Sequence, residues 1–190
     1  MTLNVDAVIG YSWDAVGVVW LIGYAFTKRT VRRQPIGARL FHLALLVLGG
    51  CMMAGPWFRY GWLKMRFVPE LEGVALAGMV LTVAGCAFAI WARVTLGANW
   101  SGLATVKADH ELITSGPYSL ARHPIYTGLL TAITGSALVS GEWRSLLGAL
   151  IIVFAIVVKM SQEERLMMQT FPNAYPLYRE RVKALIPGVL

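Results

Sequence analysis

The chain has 190 residues, of which 57% are hydrophobic and only 14% are charged. Water-soluble domains carry roughly 25% charged residues, and the mean hydropathy of +0.60 excludes that class. The formal net charge of +7 comes from basic clusters between apolar runs. Such clusters are typical of loops facing anionic lipid headgroups, so nucleic-acid binding is not predicted.

Three apolar runs occupy the N-terminal part of the chain, at about 7–26, 40–58 and 71–91. Each is near the roughly 20 residues that a helix needs to cross a bilayer core. The first run lacks a basic segment before it and a small-residue cleavage site after it, so we interpret it as a retained span. Residues 1–91 are therefore predicted to form three transmembrane helices.

Two shorter apolar runs, 125–140 and 146–160, follow a polar segment at 92–124. Each is marginal as a span taken alone. The Gly-Glu turn between them predicts a helical hairpin whose ends extend beyond the apolar stretches. The expected fold class is therefore an all-α integral membrane protein with about five transmembrane helices, forming a single domain over 1–190.

The last thirty residues are too polar to cross a bilayer. Their charged and aromatic side chains predict an amphipathic tail. This tail either lies on the membrane surface or folds back over segment 92–124 and caps a site. In the second case, 92–190 forms the catalytic part, with two spans and a C-terminal cap.

The distribution of Lys and Arg predicts the orientation. The Arg-rich loop after the first span is expected in the cytoplasm, which places the N-terminus outside. Five spans then place segment 92–124 and the C-terminal tail on the cytoplasmic side. The loop between the second and third spans opposes this assignment, because it holds Arg59, Lys64 and Arg66 on the expected outer face.

Cysteine and histidine residues give no sign of a metal. Cys51 and Cys86 lie singly within apolar runs, and we interpret both as core thiols. The three histidines, His42, His110 and His123, do not have the spacing of metal ligands. No metal site is therefore predicted.

A tight bend is predicted at 114–117, because Gly116 permits a positive φ and Pro117 fixes the next φ. Tyr118 is expected just past that bend. Pro124 suits the first turn of the following helix. The N-terminus of that helix has unpaired N–H groups and could hold an anionic group.

Four side chains surround this bend and helix start, namely Tyr118, Arg122, His123 and Tyr126. Each taken alone is typical of an anchor at the headgroup level. Together, within one bend and helix start, they favour one wall of a pocket. Arg122 has the weaker claim to that wall, since a long cationic side chain also snorkels to headgroups.

A second group follows the last apolar run. Lys159 and Glu163 are four residues apart, which places them on one face of a continuing helix. Position alone makes Lys159 an interfacial anchor and the glutamates a solvated face. A carboxylate beside a cation where a helix leaves the membrane is also what a cationic cofactor requires.

The segments "LGANWS", "HELITSGPYSLARHPIYTG", "EER", "FPNAYPLYRERV" and the closing "LIP", in this order, resemble the isoprenylcysteine carboxyl methyltransferase family and its bacterial and archaeal relatives. The resemblance covers residues 90–187. It implies a membrane-embedded methyltransferase that uses S-adenosylmethionine. It also implies a cofactor pocket that faces the cytoplasm and is closed by the C-terminal segment.

The resemblance further implies which residues hold the cofactor and the acceptor. Lys159 occupies the position of a substrate-associated arginine, so it is expected to orient the acceptor, although Lys lacks the bidentate fork of Arg. The implied cofactor contacts are His110, Glu111, Leu112, Ile113, Tyr118, His123, Pro124, Ile125, Tyr126 and Glu163, with a weaker contact at Leu103.

The default acceptor implied by the family is the carboxylate of a prenylated cysteine, a lipophilic molecule that arrives from the bilayer. One alternative is a phospholipid amine methyltransferase, because related enzymes share the R-H-P-x-Y pattern. An NADPH-dependent sterol-type reductase has similar motifs but needs more spans. A non-enzymatic membrane protein would leave the joint occurrence of His123, Tyr126 and Glu163 unexplained. The oligomeric state is left open.

Overall fold

A computed structural model of the chain describes residues 4–27, 30–32, 36–100, 106–107 and 111–188. Two implied cofactor contacts, Leu103 and His110, lie outside the described residues. The helices are α1 Val5–Ala25, α2 Ile36–Ala54, α3 Glu72–Leu96, α4 Pro124–Ser140, α5 Trp143–Thr170 and α6 Ala174–Arg181.

The structure confirms the prediction of an all-α integral membrane protein and adds one short ribbon. Strand β1, Thr30–Arg32, pairs antiparallel with β2, Val106–Lys107. This pairing joins the loop after α1 to the polar segment that follows α3. Both lie at the end of the helix bundle where α5 continues into the C-terminal segment, which we call the tail end.

Helices α1, α2 and α5, together with the helix that starts at Glu72, are long and apolar enough to cross a membrane. Helix α4 has 17 residues and is shorter than the others. The predicted hairpin is present, with Gly141 and Glu142 between α4 and α5. We call this end of the bundle the turn end. Five transmembrane crossings stay a prediction.

Two helix ends differ from the apolar runs. Helix α2 ends at Ala54, four residues before the apolar run ends, because Gly55 and Pro56 follow and Pro56 begins a separate short turn. Helix α5 continues ten residues beyond its run to Thr170. With 28 residues it is about 42 Å long, so its last turns extend past a bilayer core of about 30 Å.

Small residues let α3 and α4 pack closely. A Cβ placed at Gly85 of α3 would stand 2.5 Å from the carbonyl oxygen of Gly128, and one at Gly128 would stand 2.6 Å from the carbonyl oxygen of Gly85. Thr82, fully buried between the helices, donates its hydroxyl within α3 to the carbonyl of Gly78. Close packing of this kind is how helices associate inside a membrane.

Helices α2 and α5 meet in the same way, at Gly49 and Gly148. A Cβ at Gly148 would stand 2.6 Å from the carbonyl oxygen of Gly49. Helix α1 packs against α3 on the other side of the bundle. Among the described residues α1 and α2 have little or no direct contact, which leaves a gap between them.

At the turn end, buried ionic groups hold the hairpin to the end of α2. The Arg144 guanidinium donates to the carbonyl oxygens of Met52 and Met53, both at 2.8 Å, and pairs with Glu142. Arg59 donates to the same carboxylate at 2.7 Å. Arg66 donates to the carbonyl of Ser140 at 3.1 Å. Two of the basic residues that opposed the predicted orientation are thus engaged in contacts within the protein.

Candidate active site

A cavity of about 940 Å³ runs along the bundle between α1, α2, α4 and α5. It extends from Glu163 at the tail end to Ser145 at the turn end. Its middle is apolar, whereas ionisable and aromatic side chains surround its tail end. The apolar part is lined by residues that include Trp13, Leu46, Met53, Leu129, Ile133, Ile152 and Ile156.

Glu163 and Tyr126 meet across α4 and α5 at the tail end of the cavity. The Tyr126 hydroxyl donates to both carboxylate oxygens, at 2.8 and 2.9 Å. The Lys159 ammonium lies 3.7 Å from the same carboxylate and 5.4 Å from the centre of the Tyr126 ring. His123 stacks on Tyr126 with ring centres 5.6 Å apart. The sequence motifs around 123–126 and 159–163 therefore form one cluster.

Glu164, one residue further along α5, accepts from three donors at a single oxygen. Arg122 Nε, His123 Nε2 and Tyr175 Oη lie 2.9, 2.9 and 2.8 Å from Glu164 Oε1. Arg179 Nε lies 3.5 Å from the other oxygen. Glu164 thus connects the start of α4 to α6.

The C-terminal segment folds back over the start of α4. The main-chain N–H of Arg122 donates to the carbonyl of Lys183 at 2.8 Å, and that of His123 donates to the carbonyl of Ala184 at 2.9 Å. Thr127 donates its hydroxyl to the carbonyl of Leu185 at 2.8 Å. Of the two arrangements predicted for the tail, the structure therefore has the cap.

The sequence left open that Arg122 extends toward the lipid headgroups, and the structure shows that it does not. Its side chain is only 8% exposed because Glu164 and the carbonyls of Arg179 and Val182 accept from its guanidinium. A side chain with this many partners inside the protein is fixed, and Arg122 holds the cap against the bundle.

Buried tyrosines connect the bend to the cap. Gly116 has a φ of +58°, as the predicted bend requires, and Tyr118 follows it, 6% exposed. The Tyr178 hydroxyl donates to the main-chain carbonyl of Tyr118. Burial raises the pKa of Tyr178 to about 12 and raises the pKa of Tyr118 as well. Both phenols therefore stay protonated near neutral pH.

The described residues implied as cofactor contacts lie together at the tail end. Glu111, Leu112 and Ile113 line the same cavity as Tyr118, His123, Ile125 and Tyr126. Pro124 begins α4 and is buried, and it does not line this cavity. The groups that the sequence missed are Glu164 and Tyr175, which carry the contacts between α4, α5 and α6.

The family model for phospholipid methyltransferases matches residues 74–174, just over half of the chain. The chain belongs to this family. The phospholipid methyltransferase match contains α4, nearly all of α3 and the whole of α5, and so includes Tyr126, Lys159 and Glu163. Helices α1 and α2 lie outside it.

Curated relatives support the resemblance found in the sequence. The chain is 31% identical over 99 residues to the protein-S-isoprenylcysteine O-methyltransferase of Schizosaccharomyces pombe, covering 50% of this chain and 42% of the relative. It is 26% identical over 132 residues to protein-S-isoprenylcysteine O-methyltransferase B of Arabidopsis thaliana, covering 66% and 67%. A cobalt-zinc-cadmium resistance protein of Cupriavidus metallidurans is 32% identical over 96 residues, covering 49% and 44%. The matched part spans less than half the length of the first and third relatives.

Proposed function

We propose that this protein transfers a methyl group from S-adenosylmethionine to the carboxylate of a lipophilic acceptor, with a prenylated cysteine as the default acceptor. The proposal depends on one observation above the others. Tyr126, Lys159 and Glu163 converge at the end of a long apolar cavity, within the residues that match a methyltransferase family.

The residues at the tail end fit the chemistry of the cofactor. S-adenosylmethionine, when bound, supplies a methyl group activated by a positively charged sulfonium. Glu163 retains acceptor capacity beyond its contacts with Tyr126 and Lys159, and it could bind an amino or hydroxyl group. Trp100 and Tyr118 also line the cavity and offer aromatic surfaces for an adenine ring.

Few catalytic groups are needed for methyl transfer to a carboxylate. The acceptor is already anionic, so no residue has to remove a proton, and alignment of the reactants is the main requirement. Lys159 supplies a positive charge that orients the acceptor. The cap formed by α6 and the following residues covers the start of α4 beside the tail end of the cavity.

The contacts of Glu163 and Glu164 favour a carboxylate acceptor over the amine of a phospholipid. Glu163 accepts from Tyr126 and lies beside the Lys159 ammonium, and Glu164 accepts from Arg122, His123 and Tyr175. An amine is protonated near neutral pH and must lose its proton before it reacts. Both carboxylates already accept from neighbouring donors, which makes either a poor base for that step.

We also propose that the tail end faces the cytoplasm and that the N-terminus lies outside. The basic residues of the C-terminal segment support this orientation. Arg59 and Arg66 lie on the side proposed as outer, but they are weak evidence against this orientation. Both donate to groups of the protein at the turn end, Arg59 to Glu142 and Arg66 to the carbonyl of Ser140. Labelling of single cysteines at Asn4, just before α1, and at exposed Glu180 with an impermeant reagent, in a variant without Cys51 and Cys86, tests the orientation.

Titration calorimetry of the purified protein with S-adenosylmethionine, S-adenosylhomocysteine and NADPH tests the cofactor. We expect both adenosyl compounds to bind, whereas binding of NADPH alone would overturn the proposal. Transfer of a radiolabelled methyl group to acetyl-farnesylcysteine or to phosphatidylethanolamine then separates the two acceptor classes. Label only in the phospholipid would favour the amine methyltransferase.

A further inference from the structure

His42 of α2 contributes an ionisable side chain to the cavity. The other described α2 residues in the cavity lining are Leu46, Gly50, Met53 and Ala54, none of which has a polar side chain. An ionisable group within a membrane-spanning helix is costly and commonly marks a functional site. His42 lies outside the residues that match the family model, so family membership does not account for it.

The packing of α2 against α5 determines where His42 points. Gly49 and Gly148 are in contact, and the two helices run antiparallel. Seven residues, about two helical turns, lead back along α2 from Gly49 to His42 and forward along α5 from Gly148 to Ala155. His42 is accordingly level with Ala155 of α5.

Lys159 and Glu163 continue the same face of α5, one and two turns beyond Ala155. This register brings the His42 ring toward the segment of α5 that carries Lys159. All three side chains line one cavity. Lys159 enters the cavity from α5, and His42 enters it from α2.

We propose that His42 is a positioning residue for the acceptor, donating an imidazole N–H to the carboxylate that Lys159 attracts. This inference rests on the proposed function for the site at which the acceptor binds. A single ammonium fixes the location of a carboxylate but not its rotation, since Lys is a compact point charge without the fork of Arg. A second donor from another helix supplies the missing direction, so that one oxygen faces the methyl group.

The experiment compares acetyl-farnesylcysteine with its methyl ester, which has the same lipid chain but no charge. Binding of each to the full chain in lipid nanodiscs is followed by tryptophan fluorescence, because Trp13, Trp20 and Trp100 line the cavity. Two variants change the histidine: His42→Ala removes the imidazole, and His42→Gln keeps an N–H donor. Leu43→Ala is the control, because Leu43 is the next residue along α2 and its side chain is 55% exposed on the outside of the helix.

We expect His42→Ala to weaken carboxylate binding about tenfold, as loss of a hydrogen bond to a charged group implies, and to change ester binding less than about twofold. His42→Gln recovers most of the loss, and Leu43→Ala matches the wild type. Equal weakening of acid and ester, or no weakening of either, would overturn the assignment. In methyl-transfer assays, KM for the acceptor rises in His42→Ala and the Kd for S-adenosylmethionine is unchanged.

The proposed methyl transfer and the proposed role of His42 can be refuted independently. If the wild type transfers methyl groups and His42→Ala binds the acid as tightly as the wild type does, only the role of His42 is wrong. If the wild type transfers no methyl group but its preference for the acid over the ester depends on His42, the proposed reaction is wrong and the acceptor site stands.

Discussion

Tyr126 donates its hydroxyl to both oxygens of the Glu163 carboxylate, at 2.8 and 2.9 Å. The two residues come from α4 and α5, so this contact sets the distance between the helices where the cavity meets the cap. Lys159, 3.7 Å from the same carboxylate, restrains it from the preceding turn of α5. A carboxylate held from two sides is preorganised for a ligand.

The first prediction is that Tyr126 and Glu163 act as a unit on cofactor affinity. Tyr126→Phe and Glu163→Gln should each raise the Kd for S-adenosylmethionine about tenfold. The first removes the hydroxyl that orients the Glu163 carboxylate, and the second removes the charge of that carboxylate. The double variant should lose less than the product of the single losses, since neighbouring groups are not additive. Calorimetry measures all three, with Tyr11→Phe, an exposed tyrosine, as control. Additive losses would show that the two side chains act independently.

Glu164 should contribute mainly to stability. Glu164→Gln leaves Arg122, 8% exposed, without its counter-charge and weakens the contact with Tyr175. We expect a loss of about 2–3 kcal/mol in the free energy of unfolding, somewhat below that of a fully buried pair. Chemical unfolding in detergent measures it, and trypsin should cut faster at Arg181 and Lys183. Glu180→Gln, an exposed carboxylate of α6, is the control, and equal stability of the two variants would contradict the role of Glu164.

Close packing of α3 on α4 should make Gly85 intolerant of any side chain. Gly85→Leu places its Cβ 2.5 Å from the carbonyl oxygen of Gly128, and the two backbones must separate to admit it. A loss of several kcal/mol or failure to accumulate in membranes is expected. Gly17→Leu on α1 is the matched control, because nothing lies within 4 Å of a Cβ at that position. If both variants are stable, the helices are not in the contact described.

Stability should fall in alkaline solution as the buried phenols ionise. Burial raises the pKa of Tyr178 from 10.0 to about 12, so the folded protein holds this proton more tightly than the unfolded chain does. The resulting stabilisation is complete below pH 10.0 and is lost as the pH rises to about 12. Burial raises the pKa of Tyr118 and of Tyr175 in the same direction.

Tyr178→Phe isolates this effect. Near neutral pH the variant lacks the hydrogen bond to Tyr118 and should be about 1 kcal/mol less stable than the wild type. Between pH 10.0 and about 12 the difference should narrow, because the variant has no proton to lose at this position. Unfolding followed across this range measures it, and a constant difference would contradict the prediction.

Local chemistry made part of the molecule predictable from the sequence. Apolar runs located the helices, Gly116 adopts the positive φ that the bend requires, and Pro124 begins α4. The spacing of Lys159 and Glu163 placed them on one face of α5. Each of these inferences depends on residues that are neighbours along the chain.

Contacts between distant segments could not be predicted in the same way. Glu163 and Glu164 are adjacent and chemically identical, yet one faces Tyr126 and the other faces α6, a distinction set only by how the helices pack. His42 looked like any isolated histidine, because the register of α2 against α5 depends on two glycines 99 positions apart, Gly49 and Gly148.

The cap is joined to α4 by main-chain atoms: the N–H groups of Arg122 and His123 donate to the carbonyls of Lys183 and Ala184. Every amino acid carries a carbonyl, so this junction does not depend on which side chains occupy 183 and 184. Relatives can therefore diverge freely at these two positions and keep the cap closed. Sequence variability there would be no sign that the segment is dispensable, and deleting one residue should do more harm than replacing both.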